Sequence, residues 1–226
     1  MRIFKRLQEQ AYDHIKEMIL NGEFTNDIVY SETKLAENIG LSRTPVRDAL
    51  QRLNQEGFID IMPSKGFRIH KLSQQDVINT YEIRSAIEGY NAFMLTRERN
   101  TLRGRNVINR MEILLNRQIE LNNAGSSIED FVIADQEFHK TMVSFVENPW
   151  LIETFSNLMY SIKVMAIDSL RYPGRINQTI EEHKLVLDTI KNGNYKDVYE
   201  VVNKHMEMLK MIIFKQMEST LVQIKV

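Results

Sequence analysis

The chain has 226 residues, 43% of them apolar and 26% charged, with 29 lysines and arginines against 30 aspartates and glutamates and no cysteine. That length accommodates one large domain or two modest ones, and the composition is that of a globular protein. The absence of cysteine excludes a disulfide framework, a thiolate metal site and a cysteine nucleophile, the near-zero net charge removes any global electrostatic case for nucleic acid, and no apolar run is long enough to span a membrane.

The opening MRIFKRLQEQ starts an amphipathic helix and lacks the apolar core of a signal peptide, so a cytoplasmic protein is expected. This first helix runs from about Ile3 to Leu20, with Leu7, Ala11, Ile15 and Met18 marking one face and Asn21-Gly22 ending it. Ser31 caps a short helix carrying Leu35, Ala36 and Ile39. Gly40-Leu41 turns the chain into a second short helix, capped by Ser42, that tolerates Pro45 in its first turn and buries Val46, Leu50 and Leu53. Gly57 closes it. Phe58 to Met62 and Phe67 to His70 then read as a β-hairpin joined by Pro63-Ser64-Lys65-Gly66. The order is helix, helix-turn-helix and a two-stranded wing, over residues 1–72.

A helix that enters the major groove presents its first turns to base edges, and here those turns hold Arg43, Thr44 and Arg47. Arginine makes a two-bonded fork to guanine, whereas Thr44 and the helix's first amides suit phosphate. At the wing tip Lys65 can neutralise a phosphate, and Gly66 lets the backbone approach the duplex. The segment to Lys71 holds 11 basic against 10 acidic residues, so DNA affinity has to come from this local placement.

From Ser73 to the end at residue 226 almost everything has helical periodicity. Ser73 with Asp76 resembles a capping box opening a helix to about Leu95, and a second helix carries Val107, Ile108, Met111, Leu114 and Leu115. A third spans Ile128 to Val146, and Asn148-Pro149 starts a fourth, which Tyr172-Pro173-Gly174 breaks. Two more follow, around Asn192-Gly193-Asn194, which makes an antiparallel bundle of about six helices. The fold expected is mainly α, a winged helix-turn-helix followed by this bundle.

Four polar residues fall on the apolar stripes of three of these helices. Asp135 and His139 fill at i and i+4 the stripe of Ile128, Phe131, Val132, Phe138 and Met142. His183 lies between Ile180 and Leu187, and His205 between Val202 and Leu209. Each would cost roughly 1–3 kcal/mol if buried without a partner, so the four need a common one, and a divalent cation satisfies them all. Zinc comes first, with nickel or manganese as alternatives. His14 and His70 have no such setting and read as surface residues.

The run SETKLAENIGLSRTPVRDALQRLNQEGFIDIMPSKGFRIHKLS, Ser31 to Ser73, resembles the winged-helix domain of the GntR family of bacterial transcription regulators, most specifically in Ser42 to Leu50. The resemblance implies operator contacts from Arg43, Thr44 and Arg47, with Gly66 in the wing. Many members have arginine where this chain has Thr33. The remainder resembles the FCD effector-binding domain of the FadR subgroup, through YEIRSAIEG (Tyr81 to Gly89), DQEFH (Asp135 to His139), EEHKLVLDTIKNGN (Glu181 to Asn194) and His205. That likeness implies a divalent ion held by one Asp and three His, and the complete set argues against a fatty acyl-CoA ligand.

The expected function is a metabolite-responsive regulator, a repressor in the family's commoner mode, that binds a palindromic operator as a homodimer. It would sense a small carboxylate at open positions on the metal. Arg84 is either an anion contact for that effector or an i,i+4 ion-pair partner of Glu88. Two other readings stand beside this one: a metal-dependent enzyme acting on a carboxylic acid fused to a DNA-binding module, and a regulator whose metal is purely structural. Glu181 and Glu182 flank His183 but at i−2 and i−1 do not share its direction, so no general base is evident.

Overall fold

The computed structural model describes residues 7–25 and 28–223, with side chains described as far as residue 217. The chain divides into two compact units, residues 1–72 and 73–226. The stretch of the first expected helix that precedes Leu7 lies outside the described residues.

In the N-terminal unit, α1 (Leu7–Leu20), α2 (Glu32–Asn38) and α3 (Arg43–Gln55) precede β1 (Ile59–Met62) and β2 (Gly66–Ile69). The buried face of α1 is Ala11, Tyr12, Ile15 and Ile19, rotated from the expected one, and Leu7 is exposed. Tyr12 accounts for the rotation. Its hydroxyl donates to Glu56 (2.5 Å) and its ring lies under the Arg52 guanidinium (3.8 Å), tying α1 to the end of α3. Burial and the Glu56 carboxylate push this phenol's pKa up.

Ser31 caps α2 by accepting from the Lys34 amide. Ser42 occupies the N-cap position of α3 but makes no side-chain cap bond, contrary to expectation. The third residue of that helix is Pro45, which has no N–H to offer a capping oxygen. The exposed first turn therefore keeps the Ser42 hydroxyl out of a cap, beside Arg43 and Thr44.

The hairpin pairs Ile59 with Ile69 and Met62 with Gly66, antiparallel. A third backbone segment joins it: Tyr30 and Phe67 exchange both amide bonds (2.7 and 3.0 Å), and Phe24, Tyr30 and Phe67 form an aromatic cluster. This contact gives Gly66 a structural duty absent from the sequence-based expectation. At φ 122°, a Cβ there would lie 1.9 Å from the Tyr30 carbonyl oxygen. Gly66→Ala is expected to cost on the order of 2–3 kcal/mol in urea unfolding; an unchanged midpoint would mean that the Tyr30 segment parts from the hairpin freely. His14 is exposed as expected, but His70 is half-buried and bonds Asp60 (2.7 Å). Burial would raise the Asp60 pKa, yet His70 and Arg68 together hold it below its ordinary value.

The C-terminal unit contains α4 (Gln74–Arg97), α5 (Leu102–Asn123), α6 (Ile128–Val143), α7 (Pro149–Asn157), α8 (Met159–Leu170), α9 (Arg175–Lys191) and α10 (Val198–Gln223). The described residues of this unit thus form seven α-helices rather than about six. Leu158 ends α7 and opens α8 within the segment expected to be one helix. The capping box at Ser73 and Asp76 is present. Phe131, Phe138, Met142, Leu187, Val202 and Met206 lie in the main core. No helix among the described residues is long and apolar enough to cross a membrane.

Helix α4 contacts α6, α8, α9 and α10, which explains why it buries residues all round: Val77, Ile87, Ala92 and Leu95, but also Arg84, Glu88, Asn91 and Thr96. Polar residues at such positions need fixed partners. Asn91 donates to the Ile87 carbonyl one turn back and accepts from the Val146 amide, 55 residues further along the chain. Arg84 and Glu88 find theirs at the site described next.

Candidate metal centre and nucleic-acid interface

The stripes of α6, α9 and α10 bring Asp135, His139, His183 and His205 into the interior, each less than one-tenth exposed. The three histidines offer ring nitrogens within 4.8 Å of one another. His183 Nε2 and His205 Nε2 are 3.4 Å apart, and Asp135 Oδ1 lies 3.6 Å from His183 Nε2 and 4.0 Å from His139 Nε2. Two ligands on one ion at about 2.1 Å are separated by roughly 3 to 4.2 Å, the span of these three distances.

Partners of the other ring nitrogens decide which atoms face inward. His139 Nδ1 donates to Glu88 Oε2 (2.6 Å), His205 Nδ1 to Glu182 Oε2 (2.6 Å) and His183 Nδ1 to Gln118 Oε1 (2.8 Å). These oxygens can only accept, so each ring carries a proton on Nδ1, and in the neutral ring that leaves a lone pair on Nε2. His139 Nε2 is buried without a hydrogen-bond partner, and the Nε2 atoms of His183 and His205 face each other at 3.4 Å. Three lone pairs and a carboxylate oxygen converging without a donor fit a cation. Burial and the neighbouring imidazoles push His183 well below its ordinary pKa, and burial likewise lowers His205 against the pull of Glu182, so both are neutral at pH 7 as metal ligands must be.

Two arginines complete the surroundings. Arg84 Nε donates to Glu88 Oε1 (2.7 Å), the ion pair expected at i,i+4, and the same side chain lines a small cavity with Asp135, His139, His205, Arg175 and Thr179. Burial alone would raise the Glu88 carboxyl, but Arg84 and His139 outweigh it and hold the pKa at about 2. Arg175, 1% exposed, grips Glu182 with both terminal nitrogens (2.6 and 2.7 Å). The cavity holds only about 10 Å³, room for one ion or water.

Four of these residues lie outside the sequence-based expectation in the roles they play, Gln118, Glu88, Glu182 and Arg175. Gln118 continues the stripe of Met111, Leu114 and Leu115 on α5, so its position was a signal of burial. Glu88 was considered only as a partner for Arg84. Glu182 was set aside because it points away from His183, but it serves His205, on a different helix. Spacing within one helix does not reveal that.

In the N-terminal unit, Arg43, Arg47 and Gln51 follow one another at i, i+4 and i+8 on α3 and line one side of a groove of about 350 Å³. Ser31 to Thr33 and the hairpin residues Ile61 to Gly66 form the rest, so Lys65 and Gly66 join the two arginines there. Thr44 is exposed on the first turn but does not line the groove. Gln51 was not singled out from sequence, although its place one turn beyond Arg47 was readable.

Comparison with known proteins follows the same division. Residues 7–69 match the model for bacterial regulatory proteins of the gntR family, and residues 79–208 match the FCD domain. The HTH-type transcriptional regulator YdhC of Bacillus subtilis is 26% identical over 201 residues, covering 87% of this chain and 86% of that one. The HTH-type transcriptional repressor RspR of Escherichia coli is 21% identical over 204 residues, covering 89% and 86%. The solved structure of E. coli McbR/YncC is similar with a TM-score of 0.74 at 20% identity over 94% of this chain and 99% of that one, which shows the fold.

Proposed function

We propose how a chain that belongs to the gntR family of bacterial regulatory proteins, and carries an FCD domain, carries out transcriptional regulation. The α3 groove reads operator DNA, and the C-terminal unit holds a divalent metal that makes the protein responsive to a small carboxylate. Asp135, His139, His183 and His205 would hold the ion, zinc first and nickel or manganese as alternatives. When bound, the metal supplies Lewis acidity and open positions for an oxygen ligand. The observation that carries this reading is the buried cluster of Asp135, His139, His183 and His205, three of which, Asp135, His139 and His205, line an ion-sized cavity.

Charge supports the carboxylate. Around the cavity Arg84 and Arg175 stand against Glu88, Glu182 and Asp135, which leaves one negative charge; a divalent ion turns that into one positive charge, which one carboxylate neutralises. Arg175 has its fork on Glu182, whereas Arg84 engages Glu88 through Nε, so Arg84 is the better placed to receive the anion. A metabolite is larger than the cavity. Its entry must displace the cavity wall, Ala166, Ser169 and Leu170 of α8 or Arg175 and Thr179 of α9, and that movement is how binding would alter the unit's shape.

The protein would act as a homodimer on a palindromic operator, with effector binding changing the separation of two α3 helices. Repression is the favoured sense, since RspR is a named repressor. An enzyme acting on a carboxylic acid is disfavoured because Glu88 and Glu182 are each held by an arginine and a histidine, leaving neither to act as a general base. A purely structural metal makes a different forecast. Carboxylates screened against the zinc-loaded protein should raise its melting temperature, and Arg84→Gln should weaken the best of them by about tenfold or more. No shift with any carboxylate would remove the sensing role.

A further inference from the structure

The three metal-facing histidines are held in two different ways. His139 and His205 each donate to a carboxylate that is itself bound by a buried arginine: Arg84 to Glu88 to His139, and Arg175 to Glu182 to His205. His183 donates to the neutral amide of Gln118, and no arginine stands behind it among the contacts described. The two charged relays arise from unrelated spacings, i,i+4 within α4 and i,i+7 along α9, and each reaches a histidine on another helix.

The pattern has a physical cause. A carboxylate on Nδ1 fixes the tautomer, orients the ring and makes Nε2 a stronger donor. A buried carboxylate without compensation is costly, and beside a divalent cation it would also compete as a ligand. An arginine meets both needs, because it neutralises the glutamate and occupies its oxygens. The neutral Gln118 has neither need, which is why an arginine stands behind each glutamate but not behind it. Arginine's planar fork matters at Arg175, whose two terminal nitrogens each take one of the Glu182 oxygens.

We propose that Glu88 and Glu182 are positioning residues for the metal, each held and neutralised by its own arginine, so that Arg175 sets metal affinity through Glu182 and His205 without touching the ion. This rests on the metal-site reading above. The test is zinc affinity of the full chain, measured by chelator competition, with the visible absorption of the cobalt(II)-loaded protein as a second readout.

Glu182→Gln and Glu88→Gln keep an acceptor oxygen for the imidazole and should each weaken zinc about 10- to 100-fold. Glu181→Gln, one residue away and exposed, should leave it within about twofold. Arg175→Lys keeps the charge but loses the fork, and an intermediate loss is expected. Should Glu182→Gln fail to fold by stranding Arg175, the paired variant Glu182→Gln with Arg175→Met removes both charges and carries the same expectation. Wild-type zinc binding with all these variants within about twofold of it would overturn the positioning role alone. Wild type that binds no zinc would overturn the metal-site reading, and this inference with it.

Discussion

Purified protein loaded with zinc should carry about one metal per chain, and His139→Ala combined with His183→Ala should carry less than about a tenth of that. The effect is large because the two substitutions take away two of four ligands and the unit offers no substitute nearby. In the variant Glu88 stays paired with Arg84, Glu182 stays held by Arg175 and His205, and Gln118 stays bonded to the Ala134 carbonyl. Elemental mass spectrometry measures it directly. Full metal content in the double variant would place the ion elsewhere.

The same variant should be less stable than the wild type even without metal, because losing the two rings leaves the buried Glu88 and Gln118 short of a donor, but it should no longer respond to the metal. Zinc should therefore raise the melting temperature of the wild type and leave that of the double variant unchanged. A stabilisation by zinc that survives in the variant would count against the assignment.

The second large effect concerns DNA. Arg47→Ala or Arg43→Ala should weaken binding to a selected operator by about 1–3 kcal/mol each, roughly 5- to 150-fold, and relax sequence preference at one position. Lys65→Ala should instead weaken binding similarly for all sequences and reduce the salt dependence by about one ion. The difference follows from position, since the arginines rise from the α3 face and the lysine sits at the hairpin tip of the same groove. None of the three should alter metal content. Anisotropy titrations at two salt concentrations distinguish the classes, and equal salt slopes for Lys65→Ala and wild type would remove the phosphate contact.

Much of this was legible in the chain itself, for reasons that differ by residue. Helix breaks at Asn21-Gly22, Tyr172-Pro173-Gly174 and Asn192-Gly193 are local chemistry, and the structure turns at each of them. His139, His183 and His205 were visible because a stripe has a period, and a polar residue on it is conspicuous. What escaped depends on contacts between helices. The α1 face turned because Tyr12 reaches Glu56, forty-four residues away, and Gly66 is required by a carbonyl from Tyr30, a segment with no strand pattern of its own. Ser42 makes no cap bond to Pro45, which lacks the amide, a consequence of the local sequence alone. The split at Leu158 is marked only by Ser156-Asn157, with no glycine or proline beside them to set it apart from a continuous helix.

The Glu182 case shows the limit most clearly. Helix geometry turns Glu182 away from His183, but its partner His205 lies on α10, out of reach of any spacing within α9. Periodicity gives the face of a residue and says nothing of which helix covers that face. The same holds for Arg175, fully buried at the first turn of α9, where a charged residue beside Gly174 reads as an exposed helix start.

The measurement that bears most directly on the central claim is operator binding as a function of metal and carboxylate together. A duplex selected by the protein from a random library would be titrated by anisotropy with zinc-loaded and with chelator-stripped protein, each in the presence and absence of the carboxylate that stabilises the zinc-loaded form most. The account predicts that the carboxylate changes operator affinity only when zinc is present, and that Arg84→Gln removes the change while leaving operator affinity without effector near that of wild type. A carboxylate response of equal size in the stripped protein would contradict it.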